Sequence, residues 1–221
     1  DGWVCWAFSN HDVVRHVTRW TRPGGDPVAV AKFSMELLCS LRGSICLYEG
    51  EELGLEEAEI AFEDLRDPYG IRFWPAFKGR DGCRTPMVWE AKADNAGFST
   101  GKPWLPVPAE QRAKAVDVQD GDKNSVLAHY RAVLALRRAH PALVSGSIRF
   151  LDANGDVLAF IREGGGEKLL CVFNFAGQPA RWPIPKELGP VEAVDFAGYG
   201  ASVRDGGLWL PELRCFIGQL Y

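Results

Sequence analysis

The chain has 221 residues, of which 47% are hydrophobic and 24% charged, and its formal net charge is −4 at pH 7. This composition is typical of a globular protein, and the length suffices for one large domain or two small ones. No basic block would attract nucleic acid, and no apolar run approaches the roughly 20 residues that cross a bilayer. We therefore expect neither nucleic acid nor a membrane as a partner.

The six cysteines stand singly along the chain, and none forms a Cys-x-x-Cys pair. Most of them lie in apolar runs, where a buried free thiol is the simplest interpretation. We expect all six to be reduced, which fits a cytoplasmic protein. The histidines have no metal-ligand spacing, so the sequence predicts neither a metal nor a cofactor.

The first predicted element is a short buried strand at residues 3–8, followed by a helix at about 26–42. Asp26 fits an N-cap, with Pro27 at the first helical position. A second buried strand is predicted at residues 44–48. A strand, a helix and a strand in this order indicate parallel strands joined by a crossover helix.

Residues 49 to about 124 show no strong periodicity and contain many of the prolines and aromatic residues. A loop of this length is unusual inside a compact domain unless it has a function. A second helix is predicted at about 124–139, stopped by Pro141. Arg137, Arg138 and His140 are predicted to complement the dipole at its C-terminal end.

Beyond residue 146 the pattern changes to short β-like runs separated by glycine turns. Regular short strands of this kind predict an antiparallel sandwich. We place the domain boundary so that residues 1–142 form the first domain and residues 143–221 the second. The predicted strands of the second domain are 147–152, 157–162, 168–175, 180–184, 191–196 and 213–220.

Three segments carry the chemistry: residues 8–12 (Phe-Ser-Asn-His-Asp), 48–54 (Tyr-Glu-Gly-Glu-Glu-Leu-Gly) and 79–87 (Gly-Arg-Asp-Gly-Cys-Arg-Thr-Pro-Met). The first segment ends a predicted strand and projects an imidazole and a carboxylate at its C-terminal tip. In a (β/α)8 barrel that tip lies on the active face. In this order the three segments resemble the α-amylase superfamily, glycoside hydrolase family 13. The resemblance is strongest to exo-acting α-glucosidases, oligo-1,6-glucosidases and sucrose isomerases.

The resemblance implies an α/β part, made of the last two β/α units of a (β/α)8 TIM barrel with a long active-face loop. An all-β part, the antiparallel β-sandwich C-terminal domain, follows it. Two units cannot close an eight-stranded barrel, so we expect either a companion N-terminal barrel portion or self-association to cover the open edges. In the family, the nucleophilic Asp and the acid/base Glu come from earlier strands. We therefore expect this chain to be inactive by itself.

The resemblance assigns Asp12 the role of a third carboxylate, which stabilises the positively charged transition state of glycoside cleavage. It implies that His11 and Arg80 bind hydroxyls of the terminal glucose. Arg84 either holds the loop or reaches the adjacent subsite. Arg15 has a family precedent near the site, so we include both arginines as substrate-binding candidates. Taken singly, residues of these types are more often turn, cap or salt-bridge residues.

Asn10 is interpreted as a structural residue that fixes the turn by a local bond from side chain to backbone. Glu51 and Glu52 follow the second strand, and capping or scaffolding is the favoured interpretation of both. These residues are therefore not included among the catalytic candidates.

The leading hypothesis is the C-terminal part of a retaining α-glucosidase that hydrolyses a terminal α-linked glucose from a small saccharide such as maltose or sucrose. A close alternative is a sucrose-isomerising or transglycosylating enzyme with the same residues. An alternative of another class is a non-catalytic barrel homologue used for protein interaction, such as the amino-acid-transporter heavy chains. The presence of residues 10–12 and Arg80 favours catalysis.

Overall fold

The computed structural model describes residues 2–194 and 200–221. Its α-helices are α1 (His16–Trp20), α2 (Pro27–Ser40), α3 (Pro68–Phe73), α4 (Ala109–Arg112), α5 (Val116–Gln119), α6 (Val126–Ala139) and α7 (Pro141–Ser145). Its strands are β1 (Cys5–Trp6), β2 (Ser44–Ile45), β3 (Ser147–Leu151), β4 (Val157–Gly164), β5 (Glu167–Asn174), β6 (Ala180–Pro183), β7 (Val191–Ala193), β8 (Ser202–Arg204), β9 (Gly207–Leu210) and β10 (Arg214–Leu220).

The chain divides into two compact units, each assembled from segments that are distant in sequence. The described residues of Asp1–Trp6, Phe33–Ile45 and Arg131–Tyr221 form the first unit. Ala7–Lys32 and Cys46–Tyr130 form the second unit. Helices α2 and α6 therefore each contribute residues to both units.

Strands β1 and β2 pair in parallel, with Cys5 opposite Ser44. This pairing confirms the parallel arrangement predicted from the order of strand, helix and strand. Both strands are two residues long, which is shorter than predicted. Beyond β1, the carbonyl of Phe8 accepts a hydrogen bond from the guanidinium of Arg19.

Helix α2 begins as the sequence predicted. The Asp26 carboxylate accepts a hydrogen bond from the backbone N–H of Val28 at 2.8 Å, which is the contact expected of an N-cap. Pro27 occupies the first helical position, where its missing N–H is not needed. The helix ends at Ser40, two residues before the predicted limit.

Arg137 has a role at the C-terminal end of α2 that the sequence analysis did not predict. This arginine is buried, and its guanidinium donates to the carbonyls of Cys39, Leu41 and Gly43, the last at 2.6 Å. The last carbonyls of a helix lack partners within it, so a buried donor there satisfies them. Arg137 therefore stabilises the end of α2 in addition to lying, as predicted, in the last turn of its own helix.

Residues 49–124 contain no strand, but they do contain short helices that the sequence did not reveal. Helices α3, α4 and α5 have six, four and four residues, which is too short for a visible apolar period. This stretch also contributes to a small apolar core, against which Val116 of α5 packs. The buried members of this core are Leu53, Leu55, Val88, Ala96, Ala115 and Leu127.

Two antiparallel sheets form the C-terminal part of the chain, as predicted for a β-sandwich. The larger sheet has the order β3-β4-β5-β10-β7, and the smaller one has the order β6-β9-β8. Alternate residues of β4 and β5 enter two apolar clusters. One contains Phe160 and Phe173 and the other Ile161 and Val172, so both faces of these strands are buried.

The sequence prediction missed strands β8 and β9 and the short helix α7. Strands β8 and β9 are joined through Asp205 and Gly206, which have φ angles of 50° and 67°. Two successive residues of positive φ are typical of the tight turn that matches strand twist, and Asp-Gly is a preferred sequence for it. The last part of the predicted strand 191–196 lies outside the described residues, and β7 covers its beginning.

Candidate active site

The Asn-His-Asp segment forms a tight turn at the start of the second unit. The Asn10 side-chain oxygen accepts a hydrogen bond from the backbone N–H of Asp12 at 2.8 Å, which confirms the structural role predicted for Asn10. The Ser9 hydroxyl accepts the backbone N–H of His16 at 2.9 Å. These two bonds fix the turn at both sides, and the Asp12 side chain remains 52% exposed.

Two arginines from the segment 79–87 converge on Asp12. Arg80 Nη1 lies 2.9 Å and Arg84 Nη2 lies 3.1 Å from Oδ1 of Asp12. The hydrogen bond from Arg80 holds the pKa of the Asp12 carboxyl below its usual range, and the charges of His11, Arg80 and Arg84 lower it further. Burial acts in the opposite direction and does not overcome them. Asp12 is therefore an accessible carboxylate that stays ionised at neutral pH.

Arg80 is fixed from its other side by a carboxylate that the sequence interpretation did not single out. Asp67 has a fully buried side chain, and its Oδ2 and Oδ1 accept from Arg80 Nε at 2.8 Å and Nη2 at 3.1 Å. These bonds lower the pKa of Asp67 to about 2, and they raise that of Arg80 above its ordinary value. The Tyr69 ring lies 5.6 Å from the Arg80 guanidinium carbon. The guanidinium is thus held while its third nitrogen faces Asp12.

Arg84 is oriented by the same turn that carries Asp12. Its Nε donates to the carbonyl of His11 at 2.7 Å, and its side chain is 18% exposed. The sequence left two roles open for Arg84, holding the loop and reaching the adjacent subsite. The bond to the His11 carbonyl corresponds to the first of them. Contact with an adjacent sugar subsite stays a prediction.

The His11 imidazole lies beside the carboxylate. Its Nε2 is 3.4 Å from Oδ2 of Asp12, and its side chain is 68% exposed. This position leaves the ring open to a ligand at the same place as Asp12. The substrate-binding role of His11 stays a prediction that its position permits.

Arg15 does not have the position that a substrate ligand needs. Its side chain is only 1% exposed, and the guanidinium donates to the Glu49 carboxylate at 2.8 Å and to the carbonyls of Glu49 and Cys83. The Tyr48 hydroxyl donates to the same Cys83 carbonyl at 3.0 Å. Cys83 lies between the two site arginines, so Arg15 supports the segment that carries them. Direct contact of Arg15 with a substrate, as predicted, does not fit this burial.

Glu51 and His16 form a second, buried group beneath the turn. Their side chains are 2% and 1% exposed, and Glu51 Oε1 lies 3.7 Å from Nδ1 of His16. Burial raises the pKa of Glu51 to about 7 and lowers the pKa of His16 to about 4. Between these values both groups are neutral, so their contact is not an ion pair. Glu51 is thus part of the scaffold, as the sequence interpretation favoured.

Within residues 2–194 and 200–221, no three acidic, histidine or cysteine side chains are arranged to hold a metal ion. Across the same residues, no helix is long and apolar enough to cross a membrane. The site described above has Asp12 as its accessible anion and Arg80 and Arg84 as the cationic partners of Asp12.

The chain belongs to the alpha-amylase family. The family model for the alpha-amylase catalytic domain matches residues 1–146, and the model for the maltogenic amylase C-terminal domain matches residues 148–211. These matches confirm the resemblance that the three segments indicated and the order of a partial catalytic domain and a β-sheet domain. The exact boundary between residues 142 and 143 stays a prediction.

Among individual relatives, the chain is 52% identical to the "Probable alpha-glucosidase" of Rhizobium meliloti (strain 1021) over 221 residues, which are 100% of this chain and 39% of that protein. The alpha-glucosyl transfer enzyme XgtA is 53% identical, with a TM-score of 0.92 over 100% of this chain and 41% of its own. Trehalulose synthase MutB from Pseudomonas mesoacidophila MX-45 is 29% identical, with a TM-score of 0.82 over 100% and 43%. Variants of MutB were solved with glucose and with sucrose. The chain thus spans about two fifths of the length of these relatives.

Proposed function

We propose that this chain forms the C-terminal part of a retaining α-glucosidase that releases a terminal α-linked glucose from a small saccharide such as maltose or sucrose. The observation that carries this proposal is the accessible Asp12 carboxylate with two guanidinium groups on its Oδ1. Its support from relatives is the similarity to a probable alpha-glucosidase and to MutB, which was solved with sucrose.

In this proposal, Asp12 acts on the transition state. Cleavage of a glycosidic bond passes through an oxocarbenium-like species, in which positive charge develops on the sugar ring. A carboxylate that is already ionised and already oriented stabilises this charge without reorganising at the moment of reaction. Arg80 and His11 bind hydroxyls of the same glucose, and Arg84 keeps the turn in place.

The proposal needs two further carboxylates about 5–5.5 Å apart, one as nucleophile and one as acid/base. In the family, both carboxylates come from earlier barrel strands. We therefore assign the nucleophile and the acid/base to the barrel portion of the longer relatives, of whose length this chain spans about two fifths. The chain by itself is then expected to be inactive.

A second candidate is transfer of the glucosyl group to a sugar instead of to water. The similarity to XgtA, an alpha-glucosyl transfer enzyme, favours it as strongly as the similarity to the alpha-glucosidase favours hydrolysis. Both reactions share a covalent glucosyl intermediate and differ in the acceptor that reaches it. The proposed role of Asp12 is the same in both, because it belongs to the glucosyl half of the reaction.

The test is Asp12→Asn in the protein that contains this chain together with the barrel portion. The substitution keeps the shape and removes the charge, so kcat on an aryl α-glucoside should fall by about 10²–10³. Asp156→Asn, an exposed aspartate in the β-domain, is the matched control and should retain full activity. Turnover of Asp12→Asn within threefold of wild type would refute the assigned role.

The two candidate reactions are separated by their products. With concentrated maltose or sucrose, the amounts of free glucose and of transferred glucose are measured over time by chromatography. Free glucose in excess supports hydrolysis, and oligosaccharide or isomerised disaccharide in excess supports transfer. The anomeric form of the first product, followed by NMR, tests retention for either reaction.

A further inference from the structure

The Asp67 carboxylate binds both the backbone and the side chain of Arg80. Asp67 Oδ2 accepts from the Arg80 backbone N–H at 2.8 Å in addition to Nε, and Oδ1 accepts from the backbone N–H of Tyr69 at 3.1 Å in addition to Nη2. Four donors therefore saturate one buried carboxylate. A carboxylate with this many partners has little freedom to rotate, and neither has the guanidinium that it holds.

A second buried aspartate makes the arrangement reciprocal. Asp81 is fully buried, and its Oδ2 accepts from the backbone N–H groups of Arg66 and Asp67, the latter at 2.7 Å. The segment 66–67 thus holds segment 80–81 through Asp67, while segment 80–81 holds segment 66–67 through Asp81. We name these four residues the aspartate clasp.

Two glycines allow the clasp to close. A Cβ on Gly70 would lie 2.6 Å from the carbonyl oxygen of Lys78, and a Cβ on Gly79 would lie 2.8 Å from Cα of Gly70. Gly79 also has a φ of 80°, which favours glycine. The backbones of the two segments therefore approach too closely for side chains, and this approach brings Asp67 within reach of Arg80.

We propose that Asp67 is a positioning residue: it fixes the Arg80 guanidinium so that Nη1 stays on Asp12 before a substrate arrives. Of the five N–H groups of a guanidinium, the Asp67 and Asp12 contacts occupy one on each nitrogen. The remaining two are available for sugar hydroxyls. The inference rests on the proposed function only in the experiments that measure activity.

The first experiment is a crystal structure of the Asp67→Ser variant of the protein with its barrel portion. Serine retains the acceptor that caps α3 through Tyr69 but removes both contacts to the guanidinium side chain. Arg80 Nη1 should move beyond about 3.5 Å from Asp12 Oδ1. A guanidinium that stays within hydrogen-bond distance of Asp12 would overturn the proposal, whether or not the protein is an α-glucosidase.

The second experiment is a double-mutant cycle with Asp67→Asn and Arg80→Lys. In the wild-type background, Asp67→Asn should lower kcat/KM on an aryl α-glucoside by about 10- to 100-fold, since a misplaced charged group loses its effect. In the Arg80→Lys background, it should cost less than about threefold, because its target is gone. Equal losses in both backgrounds would mean that Asp67 acts only on the fold.

Asp81→Asn is the matched control, because Asp81 is equally buried and belongs to the clasp but does not contact the guanidinium. Its loss of kcat/KM should be smaller than that of Asp67→Asn for the same loss of Tm, and equal losses would count against the proposal. If wild type has no α-glucoside turnover, the proposed function fails. A comparison of the Arg80 position in crystal structures of the wild type and of Asp67→Ser still decides the role of Asp67.

Discussion

The buried pair of Glu51 and His16 predicts an unusual dependence of stability on pH. The pKa of Glu51 is raised from its ordinary 4.5 to about 7, and the pKa of His16 is lowered from 6.5 to about 4, in both cases first by burial. Ser9 is hydrogen-bonded to His16 at 2.9 Å, and Arg15 is the charged group whose field acts on both. Neither group is compensated by a full charge in contact with it.

The two contributions have opposite signs. Folded Glu51 keeps its proton up to about pH 7, whereas the unfolded chain loses it near 4.5, so stability is lost as pH rises through this window. Folded His16 stays neutral down to about pH 4, whereas the unfolded chain binds a proton below 6.5, so stability is lost as pH falls through that window. Each shift spans about 2.5 pH units, so each contribution is worth at most about 3.5 kcal/mol at about 1.4 kcal/mol per pH unit. The two windows overlap between pH 4.5 and 6.5. In that range the two contributions change with pH in opposite directions, so the unfolding free energy of the wild type should depend little on pH through these two groups.

The perturbation that separates them is Glu51→Gln. The difference in unfolding free energy between the variant and wild type should grow by about 3 kcal/mol from pH 4.5 to pH 7.5. The reason is that the variant lacks the Glu51 contribution, which lowers the stability of the wild type as pH rises. Urea unfolding followed by tryptophan fluorescence at several pH values measures this difference. Glu90→Gln, an exposed glutamate in the same unit, should show no such trend. If the difference between Glu51→Gln and wild type stays constant within about 0.5 kcal/mol over this range, Glu51 is not held protonated by burial.

Two further predictions concern buried side chains of the first unit. Arg162→Met should lower the unfolding free energy by about 2–4 kcal/mol, since the fully buried guanidinium donates to the carbonyls of Ser40, Gly146 and Ser147. The exposed Arg149→Met is its control in the same urea titration, and an equal effect of the two would contradict the reasoning. Asn174→Ala should lower the thermal midpoint by about 5–10 °C, because the buried amide bonds the carbonyls of Gln178 and Pro211, at 2.9 Å each, and accepts from Ala176. Gln178→Ala removes only an exposed side chain, and a matching loss in calorimetry would show that the amide bonds are not responsible.

The part of the site that touches solvent was predictable because its residues lie in short contiguous segments. Asp12 and Arg80 were assigned from the family resemblance that segments 8–12 and 79–87 carry. The structure places Oδ1 of Asp12 and Nη1 of Arg80 2.9 Å apart, although 68 positions separate the two residues in the chain. Asn10 was predicted to fix the turn because an asparagine side chain can hydrogen-bond the nearby backbone. Local rules of this kind depend on a few neighbouring residues, so one sequence is enough to apply them.

The buried part of the site was not predictable in the same way. Asp67 before Pro68 fits a helix N-cap, and it is one, since its side chain accepts from the backbone of Tyr69. Nothing local reveals that the same carboxylate holds Arg80, because that contact depends on how two loop segments pack. Arg15 shows the converse error, since it is close to the motif in sequence but is buried against Glu49.

These two parts solve one physical problem. A transition-state carboxylate has to be open to the substrate, but an open carboxylate is surrounded by water and holds a partner only weakly. In this chain the stronger interaction is buried: the Asp67 carboxylate accepts two hydrogen bonds from the Arg80 guanidinium. Because Asp67 fixes the Arg80 guanidinium, Arg80 can hold Asp12 in place while Asp12 stays exposed and ionised. A substitution at Asp67 should therefore damage the site while leaving every residue of the recognisable motifs unchanged.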